Sequence, residues 1–295
     1  MRRSHGSVHL VVTALIVAAC APKDQGAAKP DSSATPSAAA TPNSVVVHAK
    51  DFGFDAPNEI AAGMTTFRLV NDGSTFHHMQ ILRLDSGKTV ADLQQAFKRP
   101  GPPPHWMVMV GGPAAPDPKG EANATVDLKA GNYALVCFVN VPGGVPHVAK
   151  GMVHPLTVTA ATAASAPSPK TDLVVTLADY SFTLSKPLTA GTHTFEVRNT
   201  GPQPHEFQII QIAAGKTTKD VMDEIGKEMN PKVTKMAATQ PGRAVGGVAG
   251  IMPGTPAYFT ADLPAGDYLL ICFIPDGKDG KPHFAHGMMQ TVKVT

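Results

Sequence analysis

The sequence predicts an all-β protein made of two tandem Greek-key β-sandwich domains, each interrupted by one short helix. First, the chain repeats itself. Asn71-Asp-Gly-Ser-Thr-Phe-His77 matches Asn199-Thr-Gly-Pro-Gln-Pro-His205, and Leu128-Lys-Ala-Gly-Asn-Tyr133 matches Leu263-Pro-Ala-Gly-Asp-Tyr268. CFVNVPGGVPHVAKGM at 137–152 likewise matches CFIPDGKDGKPHFAHGM at 272–288. Duplication of one domain is the simplest account of such self-similarity. Second, most segments between linkers are short, rich in β-branched and aromatic residues, and bounded by Gly, Pro or Asn, which is the signature of strands. Third, each repeat holds a single stretch with helical period.

Taken in order, the first repeat offers VVVHAKDF, TTFRLVN and ATVDL as strands, and the second LVVTLADY, HTFEVRN, HEFQIIQI and AYFTADL. Thr89 is placed to cap a helix over VADLQQAF with Val90, Leu93 and Phe97 on one face. TTKDVMDEIGKEM does the same with Val221, Ile225 and Met229, because residues three and four apart share a helical face. L-x-x-G-x-Y, present twice, resembles the tyrosine corner of Greek-key sandwiches, in which the phenol pins the turn before the next strand. Alternation along that next strand puts Tyr133, Leu135 and Cys137 on one face, and Tyr268, Leu270 and Cys272 on the equivalent one. Each cysteine therefore points where a core residue would.

With 295 residues, 43% hydrophobic and 16% charged, the chain can bury two cores of ordinary size. MRRSHGSVHLVVTALIVAAC has a basic head, an apolar run from Leu10 to Ala19 too short to span a bilayer, and small residues before a cysteine, so it reads as an export signal. VAAC resembles the bacterial lipobox, in which the cysteine is lipidated and becomes the new first residue. On that reading residues 1–19 are a signal peptide and Cys20 carries the anchor; ordinary cleavage with a free exported thiol is the alternative. Ala21 to Asn43 is Ala/Pro/Ser-rich without apolar period and reads as a flexible tether, residues 20–43. Residues 159–172 have the same composition and divide domain 1, 44–158, from domain 2, 173–295. Without Arg2 and Arg3, basic and acidic residues are equal in number, so nothing electrostatic calls for a nucleic-acid partner.

Exported chains often pair their cysteines, yet only Cys137 and Cys272 remain after Cys20, in equivalent buried places that make a mutual disulfide a poor expectation. A bound metal would account for both thiols. A copper that alternates between two oxidation states needs soft sulfur for Cu(I), imidazole for Cu(II), and a geometry that neither state dictates. The first repeat offers His77, Cys137, His147 and Met152, and the second His205, Cys272, His283 and Met288, with His-x-x-x-x-Met in both. In this order the repeats resemble cupredoxins, the plastocyanin and azurin superfamily of blue-copper sandwiches, over Val45 to Val158 and Leu173 to Thr295. The resemblance implies up to one copper per domain. It makes His77 and His205 the first imidazole ligands, Cys137 and Cys272 the thiolates, His147 and His283 the second imidazoles, and Met152 and Met288 the axial thioethers.

One departure is evident. Blue-copper proteins hold only a few residues between cysteine and second histidine, whereas FVNVPGGVP and FIPDGKDGKP stand here. Longer loops close at little extra entropic cost, but they predict looser, more solvent-accessible ligands. His78, His286 and Glu206 lie near enough in sequence to substitute as ligands. Trp106, in GPPPHWMVMVGG, stands where an apolar loop would shield a site or pack into the core. His48, His105, His154 and His193 read as surface residues.

The function these features predict is electron transfer: a tethered carrier that meets exported redox proteins transiently through the apolar rim of Val148 and Ala149, or Phe284 and Ala285. The alternatives are a copper-storing or metal-free structural module and, less favoured, a two-domain copper oxidoreductase. Such oxidases flank the thiolate with histidines and carry His-x-His pairs; this chain has LVCFV and LICFI and no His-x-His.

Overall fold

The computed structural model describes residues 40–85, 87–98, 103–140, 144–162, 164–230, 232–233, 235, 237 and 239–295. Cys20 and the signal segment lie outside the described residues. The first repeat contributes β1 (Asn43–Lys50), β2 (Gly53–Asp55), β3 (Glu59–Ala61), β4 (Gly63–Asn71), β5 (Gln80–Leu84), α1 (Val90–Phe97), β6 (Met107–Met109), β7 (Glu121–Leu128), β8 (Gly131–Val136) and β9 (Val153–Thr159). The second contributes β10 (Leu173–Ala178), β11 (Ser181–Leu184), β12 (Gly191–Asn199), β13 (His205–Ile212), α2 (Thr218–Glu228), β14 (Gly242–Ile251), β15 (Pro256–Leu263), β16 (Gly266–Ile271) and β17 (Met289–Val294).

Each repeat is a two-sheet sandwich. In the first, β2-β1-β4-β7 faces β3-β9-β8-β5-β6; in the second, β11-β10-β12-β15 faces β14-β13-β16-β17. The facing sides bury an alternating apolar set that includes Val47, Phe67, Leu69, Ile81, Leu135 and Leu156 in one and Val175, Phe195, Val197, Ile209, Leu270 and Val294 in the other. The parallel pairing of β1 with β4 and of β10 with β12 gives both halves the same topology.

Both helices begin where the sequence places them. Thr89 and Thr217 each accept a hydrogen bond from the N3 amide of Asp92 and Asp220, whose carboxylates reach back in a capping box, satisfying donors that helix starts leave orphaned. The tyrosine corners also form: the Tyr133 hydroxyl donates to Lys129 O at 2.8 Å and the Tyr268 hydroxyl to Pro264 O at 2.6 Å.

The halves are joined more closely than a composition-based reading suggests. β7 and β15 bridge at Thr125 and Tyr258, which merges one sheet of each sandwich into a continuous eight-stranded sheet. Residues 109–114 pair with 247–252 through backbone bonds such as Gly111 N to Gly250 O at 3.0 Å and Ala249 N to Gly112 O at 2.8 Å. Gln80 and Gln208, equivalent in the repeat, clasp this seam. Gln80 Nε2 donates to Gly250 O at 2.9 Å, and Gln208 Nε2 donates to Ala115 O at 3.0 Å. Within the segment read as a linker, Ser165 Oγ accepts from Met64 N at 3.1 Å and Ala166 packs with Met64 and Tyr258. β1 begins at Asn43, the last residue assigned to the tether.

Candidate metal centres

The N-x-G turn before each first histidine is a small hydrogen-bonded device. Asn199 Oδ1 accepts from Gly201 N at 2.9 Å while its Nδ2 donates to Gln203 O at 2.7 Å; Asn71 treats Gly73 and Thr75 in the same way. The turn lays the histidine against an aspartate from the end of the neighbouring strand. His205 Nε2 lies 2.7 Å from Asp179 Oδ1, and His77 Nε2 lies 3.1 Å from Asp51 Oδ1. A Cβ at Gly201 would sit 2.8 Å from that Nε2 and 2.9 Å from that Oδ1. Only glycine lets the turn approach so closely. With Nε2 engaged, Nδ1 is the free face of each ring.

Cysteine and second histidine come from the two ends of the long loop. In the first half Cys137 Sγ is 3.4 Å from His147 Nδ1, and the His77 and His147 ring centroids are 4.6 Å apart. In the second, Cys272 Sγ is 3.5 Å from His283 Nδ1, which is 3.0 Å from His205 Nδ1. Within each of the two triads the donor atoms all lie within 4.8 Å of one another, and all six residues are buried. Met152 and Met288 are fully buried, and their carbonyls accept from Cys137 N at 3.3 Å and Cys272 N at 3.2 Å. The turn leading into β5 or the start of β13, the end of β8 or β16 and the following one-turn helix thus deliver three ligands of two types to one point in each half.

The expectation that long loops loosen these ligands is overturned. Each loop is zipped at its base: His147 N donates to Val139 O and Val148 N to Cys137 O at 2.9 and 2.8 Å, and His283 N to Ile274 O and Phe284 N to Cys272 O at 2.9 and 3.0 Å. Bridges at Asn140 with Pro146 and Pro275 with Pro282 close the neck. In the second half residues 276–281 form an excursion beyond the neck, and both second histidines are 0% exposed. Phe52 covers His147 edge-on at 5.4 Å and Tyr180 covers His283 at 5.3 Å.

The expectation that His78, Glu206 and His286 could substitute as ligands is corrected, and of the two roles open to Trp106 the structure selects one. Glu206 follows a ligand on β13, so alternation turns it to the opposite face, and His78, two residues before β5 begins, turns away from the triad in the same manner. There they accept hydrogen bonds from Phe138 N at 2.8 Å and Phe273 N at 2.6 Å, outside the donor triads. His286 stacks on Tyr180 and lies 3.1 Å from Asp279 Oδ1. Trp106 packs with the cluster of Leu82, Leu93 and Met107 beneath α1 and carries Lys88 over its ring, so its role is packing. Sequence reasoning missed Asp51 and Asp179. The signal was available: each stands 26 residues before its histidine, in matching positions of VVVHAKDF and LVVTLADY.

The electrostatics suit a cation. Burial lowers the pKa of all four triad histidines, against the pull of the aspartates on His77 and His205, and brings His147 and His283 down to about 4. They therefore stand neutral with lone pairs to offer. Burial pushes the Cys137 thiol up to about 12 and the Cys272 thiol upward as well, so a thiolate here requires a bound cation to hold it. His77 Nδ1 is buried with no hydrogen-bond partner among the described residues, an orphaned lone pair that a metal would satisfy. Neutral imidazoles with a thiol that becomes thiolate on binding form a donor set suited to a soft, redox-active copper.

Two Greek-key sandwiches, each gathering two histidines and a cysteine at one end of its core with a buried methionine next in the chain, define a tandem cupredoxin-like protein with two groups that could hold copper. No protein-family model and no curated protein sequence matches the chain. Solved structures similar to it include auracyanin B, 18% identical over 44% of this chain and 93% of that one with a TM-score of 0.28. Auracyanin A, a "blue" copper protein from Chloroflexus aurantiacus, is 22% identical over 40% of this chain and 99% of that one, at 0.29. Copper nitrite reductase from Nitrosomonas europaea is 14% identical over 86% of this chain and 94% of that one, at 0.26.

Proposed function

We propose that the protein is an exported, lipid-tethered carrier of single electrons with one type 1 copper in each half. The observation that supports this most directly is the pair of buried His/Cys/His groups, each braced by an aspartate on its first imidazole. Copper bound there would supply one-electron chemistry between Cu(I) and Cu(II). The chain's own residues keep the geometry fixed: Asp51 and Asp179 orient the first rings, the loop necks hold cysteine and second histidine at a set separation, and the sandwich excludes water.

Exported redox proteins are the proposed partners, in weak encounters of small area. Val148 and Phe284, which the sequence placed on the docking rim, turn into the clusters beneath α1 and α2. Phe52 and Tyr180 lie over the second imidazoles, and Ala149 and Ala285, two residues beyond those histidines, stay exposed. The export signal and Cys20 support the tether, and lipid labelling of the full chain beside Cys20→Ser tests it. Protein-film voltammetry of the copper-loaded protein tests the carrier: two reversible one-electron waves are expected, and copper retained without any reversible wave would argue for a store instead.

A further inference from the structure

The seam between the halves holds a cavity of about 560 Å³, lined in part by chain neighbours of the donor triads such as Phe76, Pro146 and Pro282, within the size range of small-molecule sites. Its wall is mainly apolar, with the rings of Phe76, Phe97, Phe138 and Phe273 and the thioethers of Met107 and Met109. Among the polar side chains that break this wall, His78 and Glu206 stand at equivalent positions of the repeat. Both are more than nine-tenths buried: His78 at 9% and Glu206 at 7% exposed.

Each of the two spends one of its polar atoms on the protein and keeps one. His78 Nε2 accepts from Phe138 N at 2.8 Å, which puts the proton of the neutral ring on Nδ1. Nδ1 has no partner among the described residues. Glu206 Oε1 accepts from Phe273 N at 2.6 Å, and Oε2 is likewise without a partner among them. Each residue therefore keeps one polar atom without a protein partner among the described residues, at the wall of an aromatic cavity where a ligand can reach it.

We propose that this cavity binds a small uncharged aromatic alcohol, of the phenol or hydroquinone class. The ligand's hydroxyl would donate to Glu206 Oε2, and a second oxygen, where the molecule has one, would accept from His78 Nδ1. Aromatic walls and thioethers favour a ring over an aliphatic chain. Asp117, Glu206, Glu224 and Glu228 line the cavity, with no lysine or arginine among its described lining residues, which disfavours an anion. Burial raises the pKa of Asp117 and Glu228, which weakens the field that would draw an organic cation. The inference rests on the cavity and stands whether or not copper binds.

The test is calorimetric titration of the full chain, metal-free, with 2-naphthol, 2-methoxynaphthalene and 2-naphthoate. One 2-naphthol per chain is expected, bound about tenfold more tightly than either analogue. Glu206→Leu should erase the advantage over the methyl ether, and Ala244→Phe, which fills the cavity from β14, should abolish binding of all three. Where Glu206→Leu does not fold, Ala244→Phe decides. Absence of 2-naphthol binding, equal affinity for the ether, preference for the carboxylate, or binding that survives Ala244→Phe would each overturn the proposal.

Discussion

His205 and Asp179 meet at 2.7 Å through Nε2 and Oδ1, and His77 and Asp51 repeat the contact at 3.1 Å in the other half. The carboxylate fixes both the tautomer and the rotation of a ring whose other nitrogen faces the cysteine. Such outer partners contribute about 10 to 100-fold to metal affinity. Asp179→Asn and Asp51→Asn should each weaken copper binding at their own site by that factor while leaving the other site unchanged. A competition titration against a chelator of known affinity measures it.

Gly201→Ala drives a methyl group between that imidazole and its carboxylate. The ring must turn or the turn must open, so the variant should lose copper at the second site and about 1 to 3 kcal/mol of stability, the usual cost of overpacking. Denaturant unfolding read beside metal content checks both effects together. Loss of stability with full copper retention would contradict this placing of the ring.

Much of this arrangement was legible in sequence, because much of it is local. The ligand order, the capping threonines 89 and 217 and the two tyrosine corners each depend on residues a few positions apart, or on strand alternation. What escaped depends on contacts across the fold. Asp51 and Asp179 reach their histidines from 26 residues away. The long loops gave no hint that their necks would be zipped, and the seam of β14 with residues 109–114 joins segments more than a hundred residues apart. His78 and Glu206 were misplaced because closeness in sequence to a ligand says little about which way a side chain turns, whereas the packing role open to Trp106 is the one it takes.

The seam makes its own prediction. Gln80 Nε2 donates to Gly250 O at 2.9 Å and Gly111 O at 3.2 Å from a buried position. Gln80→Leu removes that donor while both carbonyls keep a backbone partner, Gly250 O from Gly111 N and Gly111 O from Ile81 N, so the cost should be about 0.5 to 1.5 kcal/mol. Chemical denaturation is the measurement, and an unchanged midpoint would show that the glutamine contributes nothing to joining the halves.

Stability should also depend on pH through Glu228. Burial, then the nearby Glu224, raises its pKa to about 7 against the hydrogen bond from Gln240. Because the folded state binds this proton more tightly than the unfolded state, its contribution is fully present below the unfolded carboxyl range and is lost as pH rises towards 7. Glu228→Gln should therefore be neutral near pH 4 and stabilising by about 1 kcal/mol at pH 8, a figure reduced for partial solvent exposure. Thermal melts across that interval would show the two curves diverging as pH rises; parallel curves would contradict the raised pKa.

Copper at both cysteines is the central claim, and visible absorption with metal analysis reaches it most directly. The purified protein is loaded with copper beside Cys137→Ser, Cys272→Ser and the double variant. Two coppers per chain and an intense thiolate-to-copper band that falls stepwise with each substitution are predicted. Absence of both the band and retained copper would contradict the account and leave two buried thiols in a metal-free sandwich.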